Sequence, residues 1–256
     1  MNDDDQILIE PADGVVVVTL NRPGSKNAIN GAVRDGVTEA MTLLDSDDSL
    51  SLAILTGAGG VFSAGMDLKA FLAGEMTGEP GRGMAGLTPA QPRKPVIAAV
   101  EGFALAGGCE LALACDLIVA AENATFGIPE VKRSLIAGGG GLLRLPRVLP
   151  PTVAMELALT GDNLSAADAH RYGMVNALTP AGSALDGARE LAARITANGP
   201  LAVAGTKQIV SQALDWTLDE GWDKQQPIMA PVFASEDARE GALAFAEKRR
   251  PVWKGR

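Results

Sequence analysis

Apolar residues fall along this chain in two alternating rhythms. Val15-Val16-Val17-Val18-Thr19-Leu20 is a β-branched run closed by Asn21-Arg22-Pro23-Gly24, the composition of a strand that ends in a turn. Val33, Val37, Met41 and Leu44 then recur at helical spacing. Leu52-Ala53-Ile54-Leu55, Val96-Ile97-Ala98-Ala99-Val100 and Leu117-Ile118-Val119-Ala120 are short continuous apolar runs, and Gly57, Gly59, Gly60 and Gly102 break the first two. Continuous apolar strands belong to sheets buried on both faces, and strands of that kind interleaved with helices predict an α/β fold.

From about Asp186 the rhythm is helical: Leu191 with Ile195, then Ile209, Ala213 and Trp216, then residues 238–248. The chain is therefore read as an α/β core over residues 1–190 followed by a helical portion over 191–256. Residues 74–93, rich in Gly, Pro and Met, are expected to form an exposed, mobile loop. The longest apolar stretch, 96–121, carries Glu101, Glu110 and Asp116, each costly at a bilayer centre, so it reads as core and not as a membrane span. Two strand-to-helix crossings look alike, Phe62-Ser63-Ala64-Gly65-Met66-Asp67 and Leu105-Ala106-Gly107-Gly108-Cys109-Glu110. Ala64 and Gly107, 43 residues apart, hint at an internal repeat.

Composition narrows the function. The 256 residues are 47% hydrophobic, which fills a large core and excludes a disordered or collagen-like chain. Lys and Arg number 22 against 31 Asp and Glu, and the net charge of −9 argues against nucleic acid or an anionic membrane as partner. Aromatics at 4% leave few platforms for base stacking, so a small-molecule partner is expected. Cys109 and Cys115 have no metal-ligand spacing, and Met1-Asn2-Asp3-Asp4-Asp5 is acidic where a leader would be basic; both fit a reducing, cytoplasmic setting.

Several motifs fail. His170, the sole histidine, sits in a surface-helix context without a serine or second ligand, which argues against triads and histidine-held metals. Val61-Phe62-Ser63-Ala64-Gly65 lacks the first glycine of a nucleophile elbow, so Ser63 reads as structural. Gly57-Ala58-Gly59-Gly60-Val61-Phe62 lacks the last glycine of a dinucleotide fingerprint, and Gly205-Thr206-Lys207 lacks the ending of a phosphate loop. The run Gly138 to Gly141 reads as a tight turn before a helix.

What remains is a constellation of weak signals. Gly107-Gly108 opening a helix exposes backbone N–H groups with the positive end of the helix dipole behind them, a cradle for a negatively charged oxygen. Glu110 lies one turn into that helix among Leu111, Ala112, Leu113 and Ala114, either on a polar edge or facing an apolar cavity. Pro129 gives Glu130 a rigid mount, although taken singly Glu130 is as readily a surface residue in a turn.

Asn21-Arg22-Pro23, Asn27-Ala28, Phe62-Ser63-Ala64-Gly65-Met66-Asp67-Leu68-Lys69, Ala106-Gly107-Gly108-Cys109-Glu110-Leu111-Ala112, Phe126-Gly127-Ile128-Pro129-Glu130 and Phe245-Ala246-Glu247-Lys248-Arg249 together resemble the enoyl-CoA hydratase/isomerase (crotonase) family, in order and over nearly the whole chain. The resemblance implies a spiral of ββα repeats followed by helices that build trimers, commonly paired into hexamers. It implies addition of water across the C2=C3 bond of a 2-enoyl-CoA to give a 3-hydroxyacyl-CoA. In that scheme the N–H groups of Ala64 and Gly107 hold the thioester oxygen, Glu110 activates water for C3 and Glu130 protonates C2. The CoA path is implied to run along Asn27, Ala28, Gly65, Met66, Asp67, Leu68, Gly108 and Pro129, with Lys248 reaching the CoA phosphates. No metal or redox cofactor is implied, since CoA is part of the substrate. Residues 63–70 and 245–256 resemble the carnitinyl-CoA dehydratase branch, so that activity, double-bond isomerisation and a non-catalytic binding role are the alternatives. Ala137, where the family often has proline, and Met66, where many hydratases have a smaller residue, leave acyl preference open.

Overall fold

The computed structural model describes residues 5–75, 78–79, 81–89 and 91–256, so most of the acidic start lies outside it. In chain order the strands are β1 (Ile7–Ala12), β2 (Val15–Leu20), β3 (Leu52–Gly57), β4 (Gly78–Glu79), β5 (Gly83–Met84), β6 (Val96–Val100), β7 (Phe103–Leu105), β8 (Leu117–Ala121), β9 (Thr125–Gly127), β10 (Leu164–Ser165) and β11 (Ala177–Thr179). The α-helices are α1 (Gly31–Ser46), α2 (Leu68–Leu72), α3 (Gly107–Ala114), α4 (Gly141–Val148), α5 (Pro151–Thr160), α6 (Ala166–Arg171), α7 (Ala184–Thr196), α8 (Pro200–Ala213), α9 (Leu218–Phe233) and α10 (Glu236–Glu247).

A main sheet runs in the order β1-β2-β3-β6-β8-β11, antiparallel at β1–β2 and parallel beyond. Val18, Leu55, Ala98 and Ile118 stand side by side across it and are all buried, which is why these strands read as unbroken apolar runs. On α1 the Asn30 side chain caps the start by accepting from Val33 N (3.0 Å), and Val33, Val37, Ala40, Met41 and Leu44 form the buried stripe. The expected helix and the four expected strands are all present. β1 carries no sequence signal because it is an edge strand containing Glu10 and Pro11, residues a central strand would reject.

A second, smaller sheet takes one segment from each turn of the chain. β7 pairs in parallel with β9, β9 pairs with β10, and Ser63 forms a parallel bridge to Ala104 on the other side of β7. The chain thus makes a strand in the main sheet, a short strand in the second, then a helical turn, and repeats. This is the spiral of ββα units.

The chain divides into two compact units, one comprising residues up to Pro92 with Val96–Ala192, the other Arg93–Pro95 with Ala193–Arg256. In the helical unit α8 packs on α9, whose start carries a reciprocal capping box between Thr217 and Glu220. There the buried Asp237 holds the chain end through Lys254 N (2.7 Å) and Gly255 N (2.9 Å).

The segment 74–93 differs from expectation. Met76, Thr77, Pro80 and Ala90 lie outside the described residues, but Ala85, Leu87 and Thr88 are buried. Leu87 and Ala85 join the main hydrophobic core, which holds down a stretch whose composition alone suggests a loop in solvent.

Asn27 ties the loops of the α/β unit together. It is 0% exposed at φ +53; its Oδ1 accepts from Arg22 N (2.9 Å) and its Nδ2 donates to Ala58 O (2.9 Å) and Val61 O (2.6 Å). Ser63 Oγ donates to the Asn27 carbonyl (2.8 Å) and accepts from Gly65 N (3.1 Å), a structural role for this serine. Replacing Asn27 by alanine strands one N–H and two carbonyls, and a loss of about 2–4 kcal/mol is expected. Urea unfolding checks this, and an unchanged midpoint would show the network to be dispensable.

Candidate active site

Three times the chain leaves the second sheet and enters one cleft of about 1030 Å³: after Ser63, after β7 and after β9. The three exits deliver Met66, Gly107 with Glu110, and Pro129 with Glu130, all of which line the cleft.

At the second exit Ala106 sits at φ +51, a conformation disfavoured for a residue with a Cβ, and is held there as its N–H donates to Gly127 O (2.8 Å). This bend starts α3, so the Gly107 N–H is one of the helix's first N–H groups and has no acceptor among the described residues. The pairing of Ser63 with Ala104 brings Met66, three residues on, level with Gly107. A Cβ on Gly107 would lie 3.4 Å from Met66 N, and that N–H likewise has no acceptor among the described residues. Ala64 does line the cleft, but its N–H donates to Lys26 O (3.0 Å). The expectation for Ala64 is therefore corrected: the N–H facing the cleft without a partner is that of Met66, because the sheet register pairs the two crossings two residues away from the alignment that their glycines suggest.

Glu110 is 2% exposed and lies under the glycine run. Its Oε1 accepts from Gly141 N (2.9 Å) and the Gly139 N–H also holds the carboxylate. A Cβ on Gly139 would come within 2.8 Å of Glu110 Oε2 and one on Gly141 within 2.9 Å of its Cγ, so these glycines allow the backbone to touch the acid. Burial raises the Glu110 pKa and the charge of Glu130 raises it further, against the Gly141 and Gly139 N–H groups and the Arg144 guanidinium. Burial also raises the pKa of Glu130, opposed by its own backbone N–H and by Arg133, and its Oε2 is a buried oxygen without a hydrogen-bond partner among the described residues. Two carboxyl groups thus share one cleft, each biased toward its protonated form by burial. Cys109, beside Glu110, is fully buried and pushed up to about 12 by burial, which removes it as a nucleophile.

Of the residues the resemblance assigns to the CoA path, Ala28, Met66, Asp67, Leu68 and Pro129 line the cleft. Asn27, Gly65 and Gly108 do not: Asn27 is wholly engaged in the loop network, and a Cβ on Gly108 would meet Ser63 O at 2.4 Å, so Gly108 serves close packing. Lys248 belongs to the helical unit, where it closes α10 at φ +56. Lys26, Lys69, Phe71, Met84, Arg133, Leu135 and Ile136 also line the cleft and were not singled out from sequence. The lysines flank quoted motifs and were within reach of sequence reasoning; Met84, in a Gly- and Pro-rich stretch, had no signal. Asp67 is paired with Arg22 (2.9 Å) and caps α2 through Lys69 N and Ala70 N.

The sequence matches the family model described as enoyl-CoA hydratase/isomerase over residues 10–256. The chain belongs to the enoyl-CoA hydratase/isomerase family. It is 45% identical over 254 residues to a carnitinyl-CoA dehydratase of Salmonella paratyphi B, covering 94% of this chain and 95% of that protein. The crystal structure of an enoyl-CoA hydratase from Mycobacterium tuberculosis H37Rv matches with a TM-score of 0.97 at 58% identity, covering 99% of this chain and 100% of that one. A carnitinyl-CoA hydratase from Mycobacterium avium matches with a TM-score of 0.79 at 44% identity, covering 98% of this chain and 99% of that one. The fold is that of the crotonase enzymes, and the family acts on acyl-CoA thioesters.

The raised carboxyl pKa has a consequence for stability. The folded chain holds the Glu130 proton more tightly than the unfolded chain does, so stability falls as pH rises above the ordinary glutamate range through the raised pKa. Glu130→Gln removes that penalty, and its stability advantage over the wild type is expected to grow from pH 5 to pH 8. Urea unfolding at both pH values measures it, and an advantage that shrinks with pH would contradict the shift.

Proposed function

We propose that this chain hydrates 2-enoyl-CoA thioesters to 3-hydroxyacyl-CoA. The observation that carries the reading is the convergence, in one cleft, of two backbone N–H groups without acceptors among the described residues, those of Met66 and Gly107, with the buried Glu110 and the half-buried Glu130, both of raised pKa.

In this mechanism the thioester oxygen accepts from both N–H groups, which draws electron density from C3 and stabilises the enolate that forms when water adds. Donors of this kind are worth about 2.7–4 kcal/mol each in barrier height. Glu110, with two backbone N–H groups and the Arg144 charge favouring its anion, takes the proton from the water that attacks C3. Glu130, whose Oε2 has no hydrogen-bond partner among the described residues, delivers its proton to C2. Return of a proton from Glu110 to Glu130 restores both groups, and the net change is one water added across C2=C3. Lys26 and Lys69, on the cleft wall, are placed to meet the phosphates of CoA. None of these steps calls for a metal or redox group, and turnover is expected to be unchanged by EDTA. The exposed Val210, Leu214, Trp222, Phe233 and Phe245 of the helical unit are the surface proposed for assembly into trimers or hexamers.

The second reading, dehydration of a carnitinyl-CoA, has the Salmonella relative in its favour. It needs a seat for a trimethylammonium group. Among the described cleft residues Phe103 already has Lys26 Nζ 5.8 Å from its ring centre and Asp67 is paired with Arg22, which leaves Phe71 as the aromatic open to such a group.

The decay of conjugated-enoyl absorbance with crotonyl-CoA tests the assignment. Glu110→Gln and Glu130→Gln are each expected to lower kcat by roughly 10²-fold or more with CoA binding nearly intact. Wild-type rates in both variants would refute it.

A further inference from the structure

Gly83–Met84–Ala85–Gly86–Leu87–Thr88 forms a tight, fixed strap. Gly83, Ala85 and Gly86 all have positive φ (+67, +50 and +66). The Met84 N–H donates to Thr88 Oγ1 (2.9 Å), Leu87 N donates to Met84 O (3.3 Å), and Arg144 of α4 donates through Nη2 to the Thr88 carbonyl. Gly86 lies so near Thr38 of α1 that a Cβ there would overlap the threonine hydroxyl. Thr88 is 3% exposed, and its clasp to Arg144 is part-buried.

The strap aims Met84 at the reacting groups. A Cβ on Gly107 would lie 2.7 Å from Met84 Sδ, and one on Gly139 would lie 2.6 Å from Met84 Cε. The same point on Gly139 is 2.8 Å from Glu110 Oε2. The thioether therefore stretches from the N–H donor Gly107 to the flank of the Glu110 carboxylate. We propose that Met84 is the specificity-determining residue for the acyl group, closing the site around short acyl chains; this rests on the hydratase reading above. With the thioester oxygen at Met66 N and Gly107 N and C3 facing Glu110, the carbons beyond C3 meet Met84 first. An unbranched thioether packs against a small apolar group and obstructs a long one. The clasp from Thr88 to Arg144 keeps it from swinging aside.

The test uses the purified full chain and the variants Met84→Ala and Met84→Phe. Dissociation constants for butanoyl-CoA and decanoyl-CoA, which lack the double bond and are not hydrated, are measured by calorimetry. kcat/KM is measured beside them for crotonyl-CoA and 2-decenoyl-CoA. Met84→Ala is expected to shift both the affinity ratio and the kcat/KM ratio about tenfold toward the ten-carbon ligand, and Met84→Phe to shift them the other way. An affinity ratio unchanged within twofold in both variants overturns the proposal, whatever the turnover. Should one variant fail to fold, the affinity ratio of the other decides by the same criterion. Absence of wild-type hydration with the affinity shift intact would instead reject the hydratase reading while leaving Met84 as the residue that selects the acyl group.

Discussion

The parallel pairing of Ser63 with Ala104, and of Ala104 with Phe126, governs where everything chemical lies in this protein. It sets three successive turns of the spiral in register, so that the chain leaving each short strand enters the same cleft at the same level. Met66 and Gly107 acquire neighbouring N–H groups from that register, and Pro129 with Glu130 follows on the next turn. Backbone hydrogen bonds of a sheet hold positions to a fraction of an ångström, which is the precision that two donors aimed at one oxygen require.

Around that frame the site is built by close backbone approach. The run from Gly138 to Gly141 brings main-chain N–H groups onto Glu110 with no side chain between, and Gly108 packs against Ser63 in the same manner. The strain at Ala106 points α3 into the cleft and is offset by its hydrogen bond to Gly127. These features act together, since a Cβ at Gly108 would push against the Ser63 backbone that the sheet holds in register and one at Gly139 would displace the ends of Met84 and Glu110.

Chemistry and stability pull in opposite directions at the two glutamates. Burial makes each a poor carboxylate, which costs folding free energy once the proton is lost, and the same burial favours the protonated form that the proposed proton transfer draws on. The environments are not equivalent. Glu110 has the Gly141 and Gly139 N–H groups and Arg144 beside it, whereas Glu130 has its own N–H and Arg133 and an Oε2 without a hydrogen-bond partner among the described residues, and this asymmetry is what the proposed division into base and acid rests on.

The amino-acid sequence by itself determined the α/β class, the four central strands, helix α1 and the helical C-terminal portion, while the two glutamates and Gly107 were joined into one set only by the resemblance to the enoyl-CoA hydratase/isomerase family. The former are legible because burial on both faces writes a continuous apolar run, and because glycine and proline mark turns wherever they stand. Tertiary structure alone decided that Met66, and not Ala64, presents the unpartnered N–H, since sheet register depends on pairing between segments far apart in the chain. It alone turned the Gly138 to Gly141 run from a plain turn into the mount of Glu110. It withdrew Asn27 from the cleft, and it carried Met84 from an ordinary Gly- and Pro-rich stretch to the side of Gly107 and the Glu110 carboxylate. Local sequence records the preferences of the backbone, whereas which backbone N–H is left without an acceptor depends on every other segment that folds against it.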